Sequence, residues 1–273
     1  EFPTLIYDGP FSEHVEQRRP RGLTGEEVGP EEARRIALEF VRAAGADGVE
    51  AADLLGSEQP SDDTARIPSY SFRIRRAGNG RSRPGPQEAG EIRLDVSKKG
   101  GHVVWMLDAR PLGEPRLDLV EAARRAGAFL EERGFPNMQP THATHSDRLV
   151  TFPFVPREGG VVVYPDLVTV TVALDSGDVV GFNATGFLMN HHARDLPEPR
   201  LSEEEARRLV NPLLQVGEGR LALIPRETLE EVLTWEFQGR LGGDPYIVYV
   251  NALTGEEERI LKIVESAEGE TTL

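Results

Sequence analysis

Three segments of this chain place apolar residues three or four positions apart, which is the spacing of a helix with one buried face. In the first segment these residues are Ala33, Ile36, Ala37, Phe40, Val41 and Ala44. Each segment also opens on a helix-start signal. These signals are Gly29-Pro30, the acidic cap Asp118 with Glu121, and the capping box Ser202-Glu203-Glu204-Glu205. The pattern therefore predicts three amphipathic helices, and Pro212 is predicted to kink or end the third.

Each predicted helix is followed by runs in which apolar and polar residues alternate, as in a strand with one buried face. In the first case the apolar residues of these runs are Tyr70, Phe72 and Ile74, then Ile92, Leu94 and Val96. Residues 78–90 between the two runs are rich in glycine, arginine and proline, which predicts a loop inserted in a hairpin. Further strands are predicted over residues 149–155, 161–164, 167–174, 179–184, 232–238, 246–250 and 259–264.

The same short pattern occurs three times along the chain. Its helix copies are Glu32-Ala33-Arg34-Arg35, Ala122-Ala123-Arg124-Arg125 and Glu205-Ala206-Arg207-Arg208. Its strand copies begin with valine and end with a turn glycine, over residues 96–101, 172–177 and 250–255. An internal repeat of this kind predicts a repeated structural unit. The predicted fold class is α+β, with three tandem modules that each pack one helix on an antiparallel β-meander.

These repeats divide the chain into an amino-terminal lead-in segment, residues 1–28, and three modules. The modules are residues 29–110, 116–195 and 201–268, which we call the first, second and third units. Proline-bearing linkers, residues 111–115 and 197–200, separate them. Because such linkers act as stiff spacers, we expect them to join the units without fusing their cores.

Composition narrows the function classes. The formal net charge of −15 disfavours a nucleic-acid or anionic membrane surface as the partner, because both require a basic face. The chain has no cysteine, which excludes disulfides, thiolate metal sites and cysteine nucleophiles. No stretch approaches the ~20 apolar residues needed to span a bilayer.

Six histidines invite a metal hypothesis: His14, His102, His142, His145, His191 and His192. A zinc site needs three or four ligands that converge from elements fixing their directions. The spacing of these histidines does not provide that frame, and adjacent side chains such as His191 and His192 are expected to diverge. We therefore predict no metal site, and we interpret these histidines as surface or capping residues.

No catalytic or cofactor motif is present in the sequence. The carboxylate runs 203–205 and 256–258 lie at a helix start and a hairpin turn, where charges are usually solvated. Gly78-Asn79-Gly80 lacks the third glycine and the strand-to-helix context of a dinucleotide site. We predict no catalytic residues and no cofactor, and the partner-binding residues stay unknown at this stage.

Arginine pairs and aromatic residues have simple structural interpretations. The pairs at 34–35, 124–125 and 207–208 are expected to bridge to glutamates three or four positions away on the same helix. Trp105, Trp235, Phe237 and Tyr246 fall on predicted strand positions and are expected in the core, with an aromatic sugar-binding strip as the alternative.

A helix opening on Glu-Glu-Ala, followed by strands that close on a glycine turn, resembles the PepSY family of modules. The tandem arrangement resembles the carboxy-terminal region of the YpeB family of spore germination proteins. The segments that carry this resemblance are residues 7–14, 96–101, 164–167 and 248–252, and the likeness covers nearly the whole chain in order. Residues 78–90 depart from it as an insertion.

This resemblance implies a non-enzymatic, extracytoplasmic protein at the outer face of the spore inner membrane or in the cortex. The implied partner is the cortex-lytic enzyme SleB, which the protein would bind, stabilise and restrain until germination. A module that binds or senses cortex peptidoglycan is the alternative, and a hydrolase with an unrecognised site is a third. Unpaired strand edges make a homodimer a reasonable expectation.

Overall fold

The computed structural model describes residues 19–58, 67–76, 90–226, 228, 230–266 and 269–272. Its helices are α1 (Pro30–Ala43), α2 (Leu119–Glu132), α3 (Thr185–Asn190) and α4 (Glu203–Leu209), with a 3₁₀ turn at Tyr164–Asp166. Its strands are β1 (Val49–Glu58), β2 (Ser69–Arg76), β3 (Glu91–Ser97), β4 (Val103–Asp108), β5 (Met138–Pro140), β6 (Thr144–His145), β7 (Leu149–Glu158), β8 (Val161–Val163), β9 (Val168–Ala173), β10 (Val179–Asn183), β11 (Gln215–Pro225), β12 (Glu231–Leu241), β13 (Asp244–Asn251), β14 (Glu257–Ser266) and β15 (Gly269–Thr272). Most of the lead-in segment and of the predicted loop 78–90 lies outside the described residues. None of the described helices is long and apolar enough to cross a lipid bilayer.

The three predicted helix starts are confirmed. The Asp118 carboxylate accepts a hydrogen bond from the backbone N–H of Glu121 at 2.8 Å, and Ser202 and Glu205 form the reciprocal capping box. Gly29 precedes α1, which has proline in its first turn. The third helix ends at Leu209, three residues before Pro212, so α4 has 7 residues against 14 in α1 and in α2.

The strands form one large, mostly antiparallel sheet, which makes the fold mixed α+β. Along the sheet the order is β1-β2-β3-β4-β10-β9-β7-β6-β15-β14-β13-β12-β11-β8, and β5 pairs with β7. Among the described strands, only β8 and β11 run parallel to each other. The sequence missed the short α3 and the strands β1, β5, β6, β11 and β15. Strands β2 and β3, strands β7 to β10 of the second unit and strands β12 to β14 of the third unit lie where strands were predicted.

The three predicted turn glycines all lie in the left-handed region, with φ of 66° at Gly101, 84° at Gly177 and 81° at Gly255. Each turn closes with the same backbone hydrogen bond, from the residue after the repeat valine to the carbonyl of the residue after the glycine. The bonded pairs are Ser97 with His102, Ala173 with Asp178 and Asn251 with Glu256.

The seventh residue of each repeat helix, α1, α2 and α4, lies over the turn glycine of its own unit. A Cβ at Gly101 would lie 2.6 Å from Ile36 Cδ1, one at Gly255 would lie 2.7 Å from Leu209 Cδ1, and one at Gly177 would overlap the Arg125 guanidinium. Counted from the helix starts, the buried alanines at the fourth position are Ala33, Ala122 and Ala206. The second repeat therefore begins one residue earlier than the Ala123-Arg124-Arg125 match suggests.

The expectation that the linkers keep the cores apart is wrong for the first two units. One hydrophobic cluster runs from Leu23 to Met189 through both of them. The edge strands β4 and β10 pair with each other, and Phe40 of α1 contacts Phe129 of α2 at 5.3 Å between ring centroids. Strand pairing across a unit boundary exposes less apolar surface than two small separate cores would.

In the third unit, both faces of the sheet are covered. On one face, α4 packs Ala206 and Val210 against Phe237, Val248 and Val250. The other face packs Tyr249, Ile247 and Ala222 against Val155 and Tyr164 of the second unit. The 197–200 linker therefore joins units that are in direct contact.

Candidate interaction surface

Alternation along β2, β3 and β4 divides their side chains between two faces of the sheet. The residues Phe72, Leu94 and Met106 point into the core that α1, α2 and α3 cover. We call the opposite side the open face, defined by Arg73, Arg93, Trp105 and Leu107. In register, Arg73 lies opposite Arg93, Arg93 lies opposite Leu107, and Asp95 lies opposite Trp105.

The open face presents charge and apolar surface together. The side chain of Arg93 is 59% exposed and pairs with Glu91 at 2.6 Å, while Leu107 is 53% exposed. The half-buried Trp105 donates its indole N–H to Asp95 Oδ2 at 2.7 Å, which fixes the ring orientation. Trp105 was expected in the core, and the structure places it half-buried and packed against the main hydrophobic cluster. Phe237 is fully buried as expected.

Arg73 is the least satisfied of these groups. Its Nε is buried and has no hydrogen-bond partner within the described ranges. Its cross-strand neighbours are Arg93 on β3, a like charge that destabilises a strand pair, and Asp53 on β1, an opposite charge. An acceptor supplied by a binding partner would relieve both costs.

A second polar cluster joins the second and third units. Arg194, whose side chain is only 3% exposed, donates to both carboxylate oxygens of Asp166 at 2.7 and 2.8 Å. It also donates to both oxygens of Glu231, at 2.8 and 2.9 Å. Although burial opposes its charge, the hydrogen bonds to Glu231 and Asp166 raise the pKa of Arg194. We call Asp166, Arg194 and Glu231 the junction triad.

A buried network lies beside the junction triad. Tyr164 donates its hydroxyl to Glu236 Oε2 at 2.7 Å, and Arg220 donates to Glu236 Oε1 at 2.6 Å. Burial, then the neighbouring Glu236 charge, raises the pKa of Tyr164. Tyr164 and Asp166 belong to the same 3₁₀ turn, so this segment of the second unit is bonded to the third unit directly through Tyr164 and indirectly through Arg194, which bridges Asp166 to Glu231.

The histidines occupy separate places, with one exception. His191 and His192 contact different carboxylates of the junction triad, so they do not face one point. Nδ1 of His191 lies 2.6 Å from Asp166 Oδ2, and Nε2 of His192 lies 3.9 Å from Glu231 Oε2. Glu158, Asp166 and His191 bring one ligand atom each within 4.8 Å of one another. Because Arg194 already occupies both Asp166 oxygens, this group is an ion-pair cluster with a cation in place.

The other histidines lie away from that cluster. His102 contacts the Thr24 carbonyl at 3.0 Å, and His142 contacts Thr141 Oγ1 at 3.0 Å. Burial lowers the pKa of His142. His145 lies on β6, and His14 is outside the described residues.

The carboxylate runs and arginine pairs have local partners. Glu203 accepts from the Gly219 backbone N–H at 2.8 Å and Glu205 completes the Ser202 cap, and these bonds lower the pKa of both carboxyls. The predicted helical ion pairs form in all three units. Their members are Arg35 with Glu32 and Glu39, Arg124 and Arg125 with Glu121, Arg207 with Glu203, and Arg208 with Glu204.

Comparisons with known proteins agree with this architecture. Residues 1–197 match the family described as YpeB sporulation, PepSY1 and PepSY2 domains, and residues 200–261 match the peptidase propeptide and YPEB domain. The chain is thus an α+β protein of the PepSY class. It belongs to the YpeB family of sporulation proteins.

Individual relatives place the match within that family. The chain is 38% identical over 251 residues to a sporulation protein YpeB of Halalkalibacterium halodurans, covering 92% of this chain and 52% of the relative. It is 32% identical over 250 residues to the Bacillus subtilis protein of the same name, covering 88% and 50%. The Bacillus megaterium YpeB C-terminal domain superimposes with a TM-score of 0.72 at 32% identity, covering 87% of this chain and 99% of that one. The chain spans about half the length of the curated relatives.

Proposed function

We propose that this chain is a non-enzymatic, extracytoplasmic scaffold of spore germination that binds, stabilises and restrains the cortex-lytic enzyme SleB. Membership of the YpeB family supports a sporulation role. The open face is the observation that supports binding, because it combines Trp105, two arginines and an exposed leucine. Tryptophan and arginine are the residues most enriched where binding energy concentrates in interfaces.

We also propose that the three units are tandem PepSY-like modules. Three observations that recur once per unit support this: the buried alanine at the fourth helical position, the turn glycine under the seventh, and the shared turn hydrogen bond. In this proposal the scaffold is rigid, because the units share strand pairing and buried networks. A rigid surface loses little conformational entropy when a partner binds.

The test is a binding titration of SleB against the chain and two variants. Leu107→Lys places a charge in the middle of the open face at a residue already 53% exposed, so the fold is preserved. We expect at least a tenfold weaker dissociation constant, which is about 1.4 kcal/mol. The matched control is Val120→Lys, at a residue 80% exposed on α2. Equal affinity of Leu107→Lys and Val120→Lys would exclude the open face, and no association of the unchanged chain over a range of salt would exclude the SleB proposal.

Cortex peptidoglycan binding is the second candidate. The half-buried Trp105 supports it, since the accessible part of an indole ring can stack on a sugar face, and the neighbouring Arg73 and Arg93 suit carboxylates. Cosedimentation with purified sacculi tests it. Retention that Leu107→Lys weakens and Val120→Lys preserves would favour this candidate, while a chain that stays in the supernatant would exclude it.

A further inference from the structure

The side of the sheet that carries the open face continues onto the second unit, where its character changes. In register, Leu107 lies opposite Gly181, and Trp105 lies opposite Asn183 on the neighbouring strand β10. Strands β9 and β7 continue these two rows with threonines. We call the second-unit part of this side the polar floor, which is defined by Thr151, Thr169, Thr171, Gly181 and Asn183.

The polar floor is accessible and bounded on two sides. Each of its five residues is partly exposed, whereas the residues that alternate with its threonines on β9 are fully buried, namely Val168, Val170 and Val172. Trp105 and Leu107 border the floor on the side of the first unit. Beyond Thr151 on the same side of β7, Val155 packs against the third unit. The floor therefore lies between the first unit and the third.

Comparison of the two repeats shows what is particular to the polar floor. The fourth residue after the turn glycine is Trp105 in the first unit and Gly181 in the second. The third residue before the repeat valine is Arg93 in the first unit and Thr169 in the second. The fifth residue after the turn glycine is apolar and buried in both units. The cores thus agree, but at these face positions the first unit carries bulk and charge and the second carries neither.

Gly181 keeps the polar floor low beside the tryptophan. Glycine inside a strand weakens the strand, and it often marks a place where a ligand approaches closely. A Cβ at this position would lie 2.9 Å from Thr171 Cβ. Gly181 therefore leaves Thr171 in place and adds no side chain beside Trp105 and Leu107.

The hydrogen-bonding groups of the polar floor are uncharged and only partly used. Asn183 Oδ1 accepts from the Thr185 backbone N–H at 2.9 Å, and its Nδ2 has no acceptor in the described part of the chain. The hydroxyls of Thr151 and Thr171 lie 2.9 Å apart, and one hydrogen bond between them leaves a hydroxyl hydrogen for another acceptor. The Thr169 hydroxyl has no partner among the described residues. The floor thus offers both donors and acceptors to a ligand.

This chemistry favours a neutral, hydroxyl-rich ligand. Charged residues make up 28% of the chain, yet none of the five floor residues is charged, so a charged ligand finds no counter-charge on the floor. Threonine is under-represented where binding energy concentrates in protein interfaces, which disfavours a protein as the occupant. Side-chain amides and hydroxyls are among the groups that orient small ligands, and they match the hydroxyls of a sugar chain. The Trp105 ring, held by Asp95, provides an apolar surface for one sugar face.

We propose that the polar floor binds a neutral oligosaccharide chain, with one sugar ring against Trp105 and polar sugar groups on Asn183 and Thr169. This inference rests on the second candidate function, cortex peptidoglycan binding, and names the uncharged glycan backbone as the part that is recognised. Neighbouring strands lie ~4.8 Å apart, so the three steps from β4 to β7 span about 14 Å, which accommodates a short run of sugar rings. Arg73 and Arg93 lie outside the floor, so the site adds to the open face.

Nuclear magnetic resonance of the indole N–H groups tests the site without a mutation. The chain has two tryptophans, so Trp105 and Trp235 give one signal each. The probe is the neutral β-1,4-linked tetramer of N-acetylglucosamine. We expect the tetramer to shift the Trp105 signal saturably and to leave the Trp235 signal unchanged, because Trp235 lies in the third unit and donates to the Leu201 carbonyl. A Trp105 signal that does not move, or equal movement of both signals, would overturn the proposal.

Two variants assign the contact to the polar floor. Asn183→Asp keeps an acceptor for the Thr185 N–H and removes the Nδ2 donor. Its matched control is Asn211→Asp, which makes the same change at an exposed residue whose Oδ1 accepts from the Leu213 N–H at 3.0 Å. Thr169→Val removes the hydroxyl and keeps a β-branched side chain that suits a strand.

We expect Asn183→Asp and Thr169→Val each to weaken the dissociation constant of the tetramer about three- to tenfold, the range of one neutral hydrogen bond. Asn211→Asp should bind the tetramer as the unchanged chain does. Unchanged affinity in both floor variants would overturn the proposal, as would an equal loss in Asn211→Asp.

Cosedimentation with sacculi separates failure of this inference from failure of the cortex candidate. Retention on sacculi without any response to the tetramer would overturn this inference alone, because other groups would then hold the peptidoglycan. Saturable binding of the tetramer without retention on sacculi would support the polar floor and count against the cortex candidate. A larger Trp105 shift with an acidic tetrapeptide than with the tetramer would also overturn the inference, by placing a charged ligand at this site.

Discussion

Replacing Arg194 by methionine should uncouple the third unit from the rest of the protein. The side chain of Asp166 is fully buried and that of Glu231 is 19% exposed, and Arg194 donates to all four of their carboxylate oxygens. Arg194→Met therefore leaves two carboxylates without their cation. Removing one partner from a buried ion pair costs about 3–5 kcal/mol. For a chain of this size that corresponds to a fall in melting temperature of roughly 5–9 °C.

Calorimetry of the variant should show more than a lower melting temperature. Because the triad joins the second and third units, we expect the third unit to unfold first, as a separate transition. The matched control is Arg148→Met, where the arginine is half exposed and its partner Glu114 is 84% exposed. Exposed pairs contribute about 0–1 kcal/mol, so this change should be nearly neutral. The reasoning is refuted if Arg194→Met and Arg148→Met each melt in a single transition at the same temperature.

Three further predictions concern local features. Gly255→Ala should destabilise the protein by about 1–3 kcal/mol in urea unfolding, because φ is 81° and the new methyl would lie 2.7 Å from Leu209 Cδ1. The control Gly134→Ala has a similar φ of 84° but no atom within 4 Å of the new methyl, so it should cost less. Ser202→Ala should cost about 1 kcal/mol and reduce helical circular dichroism, with an unchanged signal counting against the cap. The hydrogen bond from the Arg110 guanidinium lowers the pKa of Asp175, so this carboxylate stabilises the fold fully above its ordinary pKa. The contribution declines as the pH falls below that value and is lost as the pH passes the lower pKa of the folded protein. The unfolding free energy of Asp175→Asn should therefore vary less with pH below about 5, and an unchanged profile would contradict this.

Local signals in the sequence sufficed for the helix starts and for the alternating strands. A capping side chain bonds within three residues of itself, so Asp118 and Ser202 could be identified without tertiary information. The end of α4 before Pro212 was predictable for the same reason.

The missed strands lack the simple alternation that marks a half-buried strand. Strand β1 has register shifts between Val49 and Ala51 and between Leu54 and Gly56, and each shift moves the following side chains to the other face. Residues 222–225 of β11 are buried in succession because both faces of the sheet are covered in the third unit.

The junction triad and the fused core depend on contacts between distant residues. Arg194 is 28 residues from Asp166 and 37 from Glu231, and no periodicity links them. The position of Trp105 also could not be predicted from the sequence, because it depends on which face of the shared sheet the helices cover. In the second unit the buried repeat alanine is Ala122, one residue before the alanine that precedes the arginine pair. Aligning the three helix starts, instead of the arginine pairs, would have identified it.

Hydrogen–deuterium exchange on the chain with and without SleB tests the central claim most directly, because it locates the binding surface without a mutation. The account predicts slower exchange on β3 and β4, the strands that carry Arg93, Trp105 and Leu107, with little change on α1 and α2. Protection confined to the helices, or no protection at saturating SleB, would contradict it.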